Sequence, residues 1–80
     1  MSDRIQGLEQ TLLMLGQKEL KLERQLQLLK ERTRSAVDFG DLKTADANWE
    51  LYEEARKELA SVQLEIGDVE SILYRLRRRR

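Results

Sequence analysis

Five of the fifteen basic residues fall at the very end of the chain: Arg75, Arg77, Arg78, Arg79 and Arg80. A guanidinium group is a planar fork that can hold a phosphate or a carboxylate through two parallel hydrogen bonds. The basic C-terminal end, residues 75–80, is therefore the clearest chemical feature of the sequence. It suits a nucleic acid, another polyanion or an acidic protein. Tyr74, at the edge of the run, is its only aromatic neighbour, so base stacking has little support. Cations at a helix C-terminus also favour the helix dipole without binding anything. A second cluster is acidic: Asp38, Asp41 and Asp46 lie around Phe39 and Gly40. Such carboxylates can attract a divalent cation, but helix caps and solvated acids use the same residues. Asp38-Phe39-Gly40 also spells the metal-binding tripeptide of protein kinases, yet 80 residues cannot supply the nucleotide-binding lobe that this motif serves.

The inventory excludes much else. With no His and no Cys, the chain has no imidazole base, no thiol nucleophile, no disulfide and no zinc cluster. A Ser or Thr nucleophile would lack a base to activate it. There is no phosphate-binding G-x-x-x-x-G-K-[ST], no dinucleotide-binding G-x-G-x-x-G and no G-x-S-x-G elbow. The expectation is a protein that is not an enzyme and needs no metal or other cofactor.

The elements that carry these residues follow from composition and spacing. Charged residues make up 38% and Pro is absent, while Leu far outnumbers Val and Ile, a mixture that belongs to long helices. In the first half, Ile5, Leu8, Leu12, Leu15, Leu22, Leu26 and Leu29 recur at alternating steps of three and four, continued by Thr33 and Ala36. That is heptad spacing, interrupted only by Glu19. The second half repeats it through Leu42, Ala45, Trp49, Tyr52, Ala55, Leu59, Val62, Ile66, Val69, Leu73 and Leu76, with one slip around Tyr52. Two helices are predicted, over about 3–37 and about 42–78, each roughly 50 Å long. The tip, about 38–41, joins them. Gly40 suits the left-handed residue after a helix end, and Asp41 suits the cap of the next helix. Lys30, Arg32 and Arg34 near the first helix's end, and Asp41 and Asp46 near the second's start, have the signs that each dipole favours. So short a connection makes the helices antiparallel, with facing residues whose numbers sum to about 78 for a turn centred near Phe39. The fold class is all-α: a single antiparallel two-helix coiled-coil hairpin.

Some apolar residues fall off this seam. Leu13, Leu20 and Leu28 in the first half, and Leu64, Ile72 and Tyr74 in the second, point away from the main stripes. They can be scattered surface residues, or a second seam that meets a partner or another hairpin. A lone two-helix rod has little core, so dimerisation into a four-helix bundle is expected. Gly7, Gly16 and Gly67 fall inside the helices, either as tolerated defects or as points of close backbone approach. Glu19 and Arg56 are a conceivable cross-hairpin pair, and Trp49 and Tyr52 are expected on the seam.

Gly40-Asp41-Leu42 with Ala45 resembles the tip of the hairpin in Gre-type transcript-cleavage factors. That resemblance implies insertion into an RNA polymerase channel. The family's second tip acid is missing, because Thr44 stands at its position, so transcript cleavage is not implied. The same stretch, with Trp49, is also similar to the second helix of a tetratricopeptide repeat and to the hairpin motif of nucleotide-excision-repair proteins. A glycine, an acidic cap and a small residue one turn later are what any tight helix–helix turn favours.

Leu12-Leu13-Met14-Leu15 is the longest apolar run, far too short for a membrane span, and no secretion signal pattern precedes a cleavage site. A cytoplasmic location is expected. Without the five terminal arginines, ten basic residues face fifteen acidic ones, so a neutral total conceals an acidic body and a basic end. The expected function is that of a non-enzymatic adaptor or scaffold, bound to a macromolecular partner through apolar helix faces and the arginine-rich end. Alternatives are a Gre-like hairpin regulator of RNA polymerase, with Asp38, Phe39 and Asp41 at its working tip, and a small helical chaperone for secretion or phage assembly.

Overall fold

A computed structural model describes residues 2–78. It contains two helices, α1 (Ser2–Asp38) and α2 (Leu42–Arg78), packed against each other along their length. At 37 residues each helix is about 55 Å long, which matches a rod with principal extents of 61 × 14 × 13 Å. No helix among the described residues is long and apolar enough to cross a membrane.

The turn follows from two adjacent residues with different tasks. Gly40 takes φ +74°, a left-handed conformation that costs a residue with a Cβ. With it, the Gly40 N–H donates to the Val37 carbonyl at 2.9 Å and the Asp41 N–H to the Ala36 carbonyl at 2.8 Å. This is a Schellman arrangement, which satisfies two carbonyls at the end of α1. Asp41 then caps α2. Its carbonyl accepts the Ala45 N–H at 3.0 Å, and its carboxylate accepts the Thr44 N–H at 3.2 Å and the Thr44 hydroxyl at 2.6 Å. These bonds hold the Asp41 carboxyl below the ordinary aspartate value of 3.8, the Thr44 hydroxyl contributing most, then the Thr44 N–H. One residue closes one helix and opens the next.

Buried and half-buried positions trace an unbroken heptad in both helices, 5, 8, 12, 15, 19, 22, 26, 29, 33 and 36 in α1 and 45, 48, 52, 55, 59, 62, 66, 69, 73 and 76 in α2, with half-buried Gly16 and Glu53 beside it. Taken in antiparallel order they pair as Ile5–Leu76, Leu8–Leu73 and so on to Ala36–Ala45, each pair of numbers adding to 81. The turn is therefore centred between Gly40 and Asp41, not at Phe39, because the Schellman bonds carry α1 through Asp38. The core cluster of Leu22, Leu29, Ala55 and Val62, packed by Leu15, Leu26, Tyr52, Leu59 and Ile66, follows the same register. Two ion pairs cross the hairpin on opposite flanks of the seam: Lys18 Nζ with Glu58 at 3.3 Å and Arg77 with Glu9 at 3.1 Å. With seam positions labelled a and d, the first joins two g positions and the second two e positions, as two antiparallel strips require.

Three expectations change. The slip near Tyr52 disappears, because half-buried Asn48 takes the seam position while Trp49 lies outside it, 48% exposed and stacked on the Tyr52 ring at 4.9 Å. Leu42 is likewise exposed, ahead of the first seam residue Ala45. Arg56 pairs with Glu53 on its own helix at 3.7 Å, not with Glu19. The dipole reading also narrows. The last turn of α1 has no basic residue and the first turn of α2 no acidic one, leaving Asp41 at the cap and Arg75, Arg77 and Arg78 in the last turn of α2.

Candidate partner-binding surfaces

The open end of the hairpin brings together cations far apart in sequence. Arg4 and Arg75 line one depression with Ile72 and Leu76. Among the described residues neither arginine forms an ion pair. The other described arginines there are engaged: Arg77 holds Glu9, and the Arg78 guanidinium lies over the Tyr74 ring, 5.9 Å from its centroid. Arg79 and Arg80 lie outside the described residues. Arg4 is the member that sequence spacing did not single out. Its signal is the antiparallel register, which sets the first turn of α1 beside the last turn of α2.

The six off-seam apolar residues do not form one surface. Leu13, 65% exposed, and Leu20, 49% exposed, share a shallow apolar depression with Leu12 and Gly16, bordered by Glu9 and Arg77. Tyr74, 63% exposed, adjoins Arg77 on the α2 side with Glu70, and Gly67 adjoins both Glu70 and Tyr74. These residues occupy the b and e heptad positions, on one long side of the rod. Ile72 faces the depression shared with Arg4, and Leu28 belongs to the same opposite side by its heptad position, c. Leu64, 72% exposed, lies at an outer f position. Met14, Val37 and Leu51 are further exposed apolar residues, each next to a seam residue (Leu15, Ala36 and Tyr52) and so merging with its stripe in the sequence. None of the helix-interior glycines, Gly7, Gly16 or Gly67, has anything within 4 Å of an added Cβ, so the hairpin itself imposes no close approach there.

The chain matches no family model, no curated protein and no solved structure.

The tip offers less chemistry. Phe39 is 87% exposed, Asp38 ends α1, and both carboxylate oxygens of Asp41 accept hydrogen bonds from Thr44. Asp38, Asp41 and Asp46 do not converge, and no described group of three or more acidic residues is placed to hold a metal ion. The side-chain chemistry of the rod is concentrated at its open end.

Proposed function

We propose that this protein is a non-catalytic coiled-coil adaptor that pairs with a second copy through its surplus apolar surface and grips a polyanionic macromolecule with its open end. The observation that carries the reading is the depression shared by Arg4 and Arg75 beside exposed Arg78: among the described residues neither Arg4 nor Arg75 forms an ion pair, although Asp3 precedes Arg4 and Glu70 adjoins Arg75, and Glu9 is already bound by Arg77. Arginines without acid partners at the end of a rigid rod have their donors free for phosphate or carboxylate oxygens. The rod supplies reach and orientation, and the open end supplies the contact. Self-association has separate support. A compact monomer of 9.5 kDa exposes about 5,000 Å² by the usual size scaling, whereas this hairpin exposes 6704 Å².

The test is fluorescence anisotropy of a labelled duplex DNA and, separately, of labelled polyglutamate, titrated with the full chain. Replacing Arg4, Arg75 and Arg78 with Ser should abolish binding of the preferred polyanion and flatten its salt dependence. Binding to neither probe, or equal binding by the variant, would refute the reading. Which probe binds separates a nucleic acid from an acidic protein as the partner.

A further inference from the structure

We infer that the side of the rod bearing Leu13 and Leu20 is covered by a second copy of the chain, related by a two-fold axis parallel to the rod, so that both tips lie at one pole and both arginine ends at the other. This deepens the self-association proposed above and rests on it.

The geometry comes from the register. Positions b and e lie about a quarter-turn from the a/d seam, the direction in which a helix of a four-helix bundle meets its second neighbour. A two-fold axis along the rod sets α1 of one copy against α2 of the other with heights unchanged. Residues whose numbers sum to about 80 or 81 then stand level, as they do within one hairpin. Along this side the level partners are complementary in size. Leu13 stands opposite Gly67 of the second copy, and Leu20 opposite Ala60. The space above Gly67 is open within the hairpin, and Leu13 is mostly exposed, so a leucine of the second copy can enter unobstructed. Two charge pairs at these heights are complementary, Arg34 opposite Asp46 and Glu23 nearly level with Arg56; one is of like sign, Glu9 nearly level with Glu70, and there Arg77 already holds Glu9.

The other two-fold arrangement, with its axis across the rod, fares worse. Centred on the same leucines, it sets Leu13 against Leu20, leaves Gly67 and Ala60 facing each other across a gap, and brings Glu23 near Glu9. Leucines on small residues fill space that leucines on leucines leave empty. The opposite side of the rod, with Leu28, Ile72 and Met14, lacks this size match and sets Arg4 level with Arg75 of a second copy. A side of 61 by 14 Å is also about the size of the ~800 Å² per partner that a standard stable interface buries. Pairing with tips together would place two arginine ends side by side, making the polyanion grip bivalent.

Two measurements on the full chain test the inference. Gly67→Leu adds bulk where the single hairpin has room, so helicity by circular dichroism should hold or rise, while sedimentation equilibrium should show the dimer weakened at least about tenfold. Phe39→Cys, spin-labelled at the exposed tip, should give a tip-to-tip distance of roughly 10–25 Å, as expected for neighbouring helices 8–10 Å apart with label linkers added. A dimer that tolerates Gly67→Leu, or whose tips lie about 40 Å or more apart, overturns the inference while leaving self-association standing. A wild-type chain that stays monomeric at micromolar concentration overturns both.

Discussion

Replacing Glu19 with Leu tests the seam at its least expected position. Glu19 is half-buried on the heptad between Leu15 and Leu22 and stands level with Val62, which is 3% exposed. Among the described residues its carboxylate has neither an ion pair nor a hydrogen bond. Helix propensity is nearly unchanged by the substitution, so the difference is apolar burial. Full burial of a leucine contributes roughly 1.5–3 kcal/mol, and a half-buried site gives about 1 kcal/mol. For a chain of 80 residues that corresponds to a rise of about 4–8 °C in the unfolding midpoint. Thermal and urea unfolding at fixed protein concentration measure it, which matters because any self-association makes the midpoint depend on concentration. Glu31→Leu, at an exposed f position, is the control and should change stability by less than about 0.5 kcal/mol. If Glu19→Leu stabilises no more than Glu31→Leu, residue 19 is not on the seam and the register is wrong.

Glycine substitutions should divide by sign, although open space surrounds Gly7 and Gly40 alike. Gly7→Ala should stabilise by roughly 0.5–1 kcal/mol through helix propensity, and Gly40→Ala should destabilise by about 1 kcal/mol because its φ is positive, both read by urea unfolding. The Asp41 carboxyl should titrate below 3.8 by carbon-detected NMR. A carboxyl depressed in the folded state stabilises above its unfolded value and loses that contribution as pH falls through the folded one, so the stability gap between wild type and Asp41→Ala should be full at neutral pH and shrink below 3.8. A gap that widens on acidification would contradict the capping bonds. Arg77→Ala should cost no more than about 0.5 kcal/mol by the same urea assay, because both partners of its bond to Glu9 are over half exposed.

The hairpin was legible because its two determinants are local. Leucines at steps of three and four mark the facing stripes, and Gly40 followed by Asp41 marks a helix end and a helix start. The errors arose where hydropathy and geometry disagree. Trp49 outranks Asn48 on any apolarity scale, yet only position 48 continues the heptad, so the polar residue lies inside and the indole outside. The turn centre was displaced because sequence alone did not show Asp41 serving both helices. The candidate surfaces were less legible. Leu13, Leu20 and Tyr74 share one side while Leu28, Leu64 and Ile72 do not, a division that depends on angular position about each axis and not on hydrophobicity. Arg4 carries no signal in the linear sequence, because its neighbour Arg75 is near only after the chain has folded back.

The antiparallel register sets every pairing in the hairpin, and methyl-to-methyl nuclear Overhauser contacts measure it directly. Within a single chain, distinguished from between-chain contacts by mixing differently labelled samples, Leu8 should contact Leu73, Leu15 should contact Ile66, and Leu22 should contact Leu59. Contacts displaced by a heptad, such as Leu15 with Leu73 or Leu22 with Ile66, or seam contacts found only between chains, would contradict the hairpin as described.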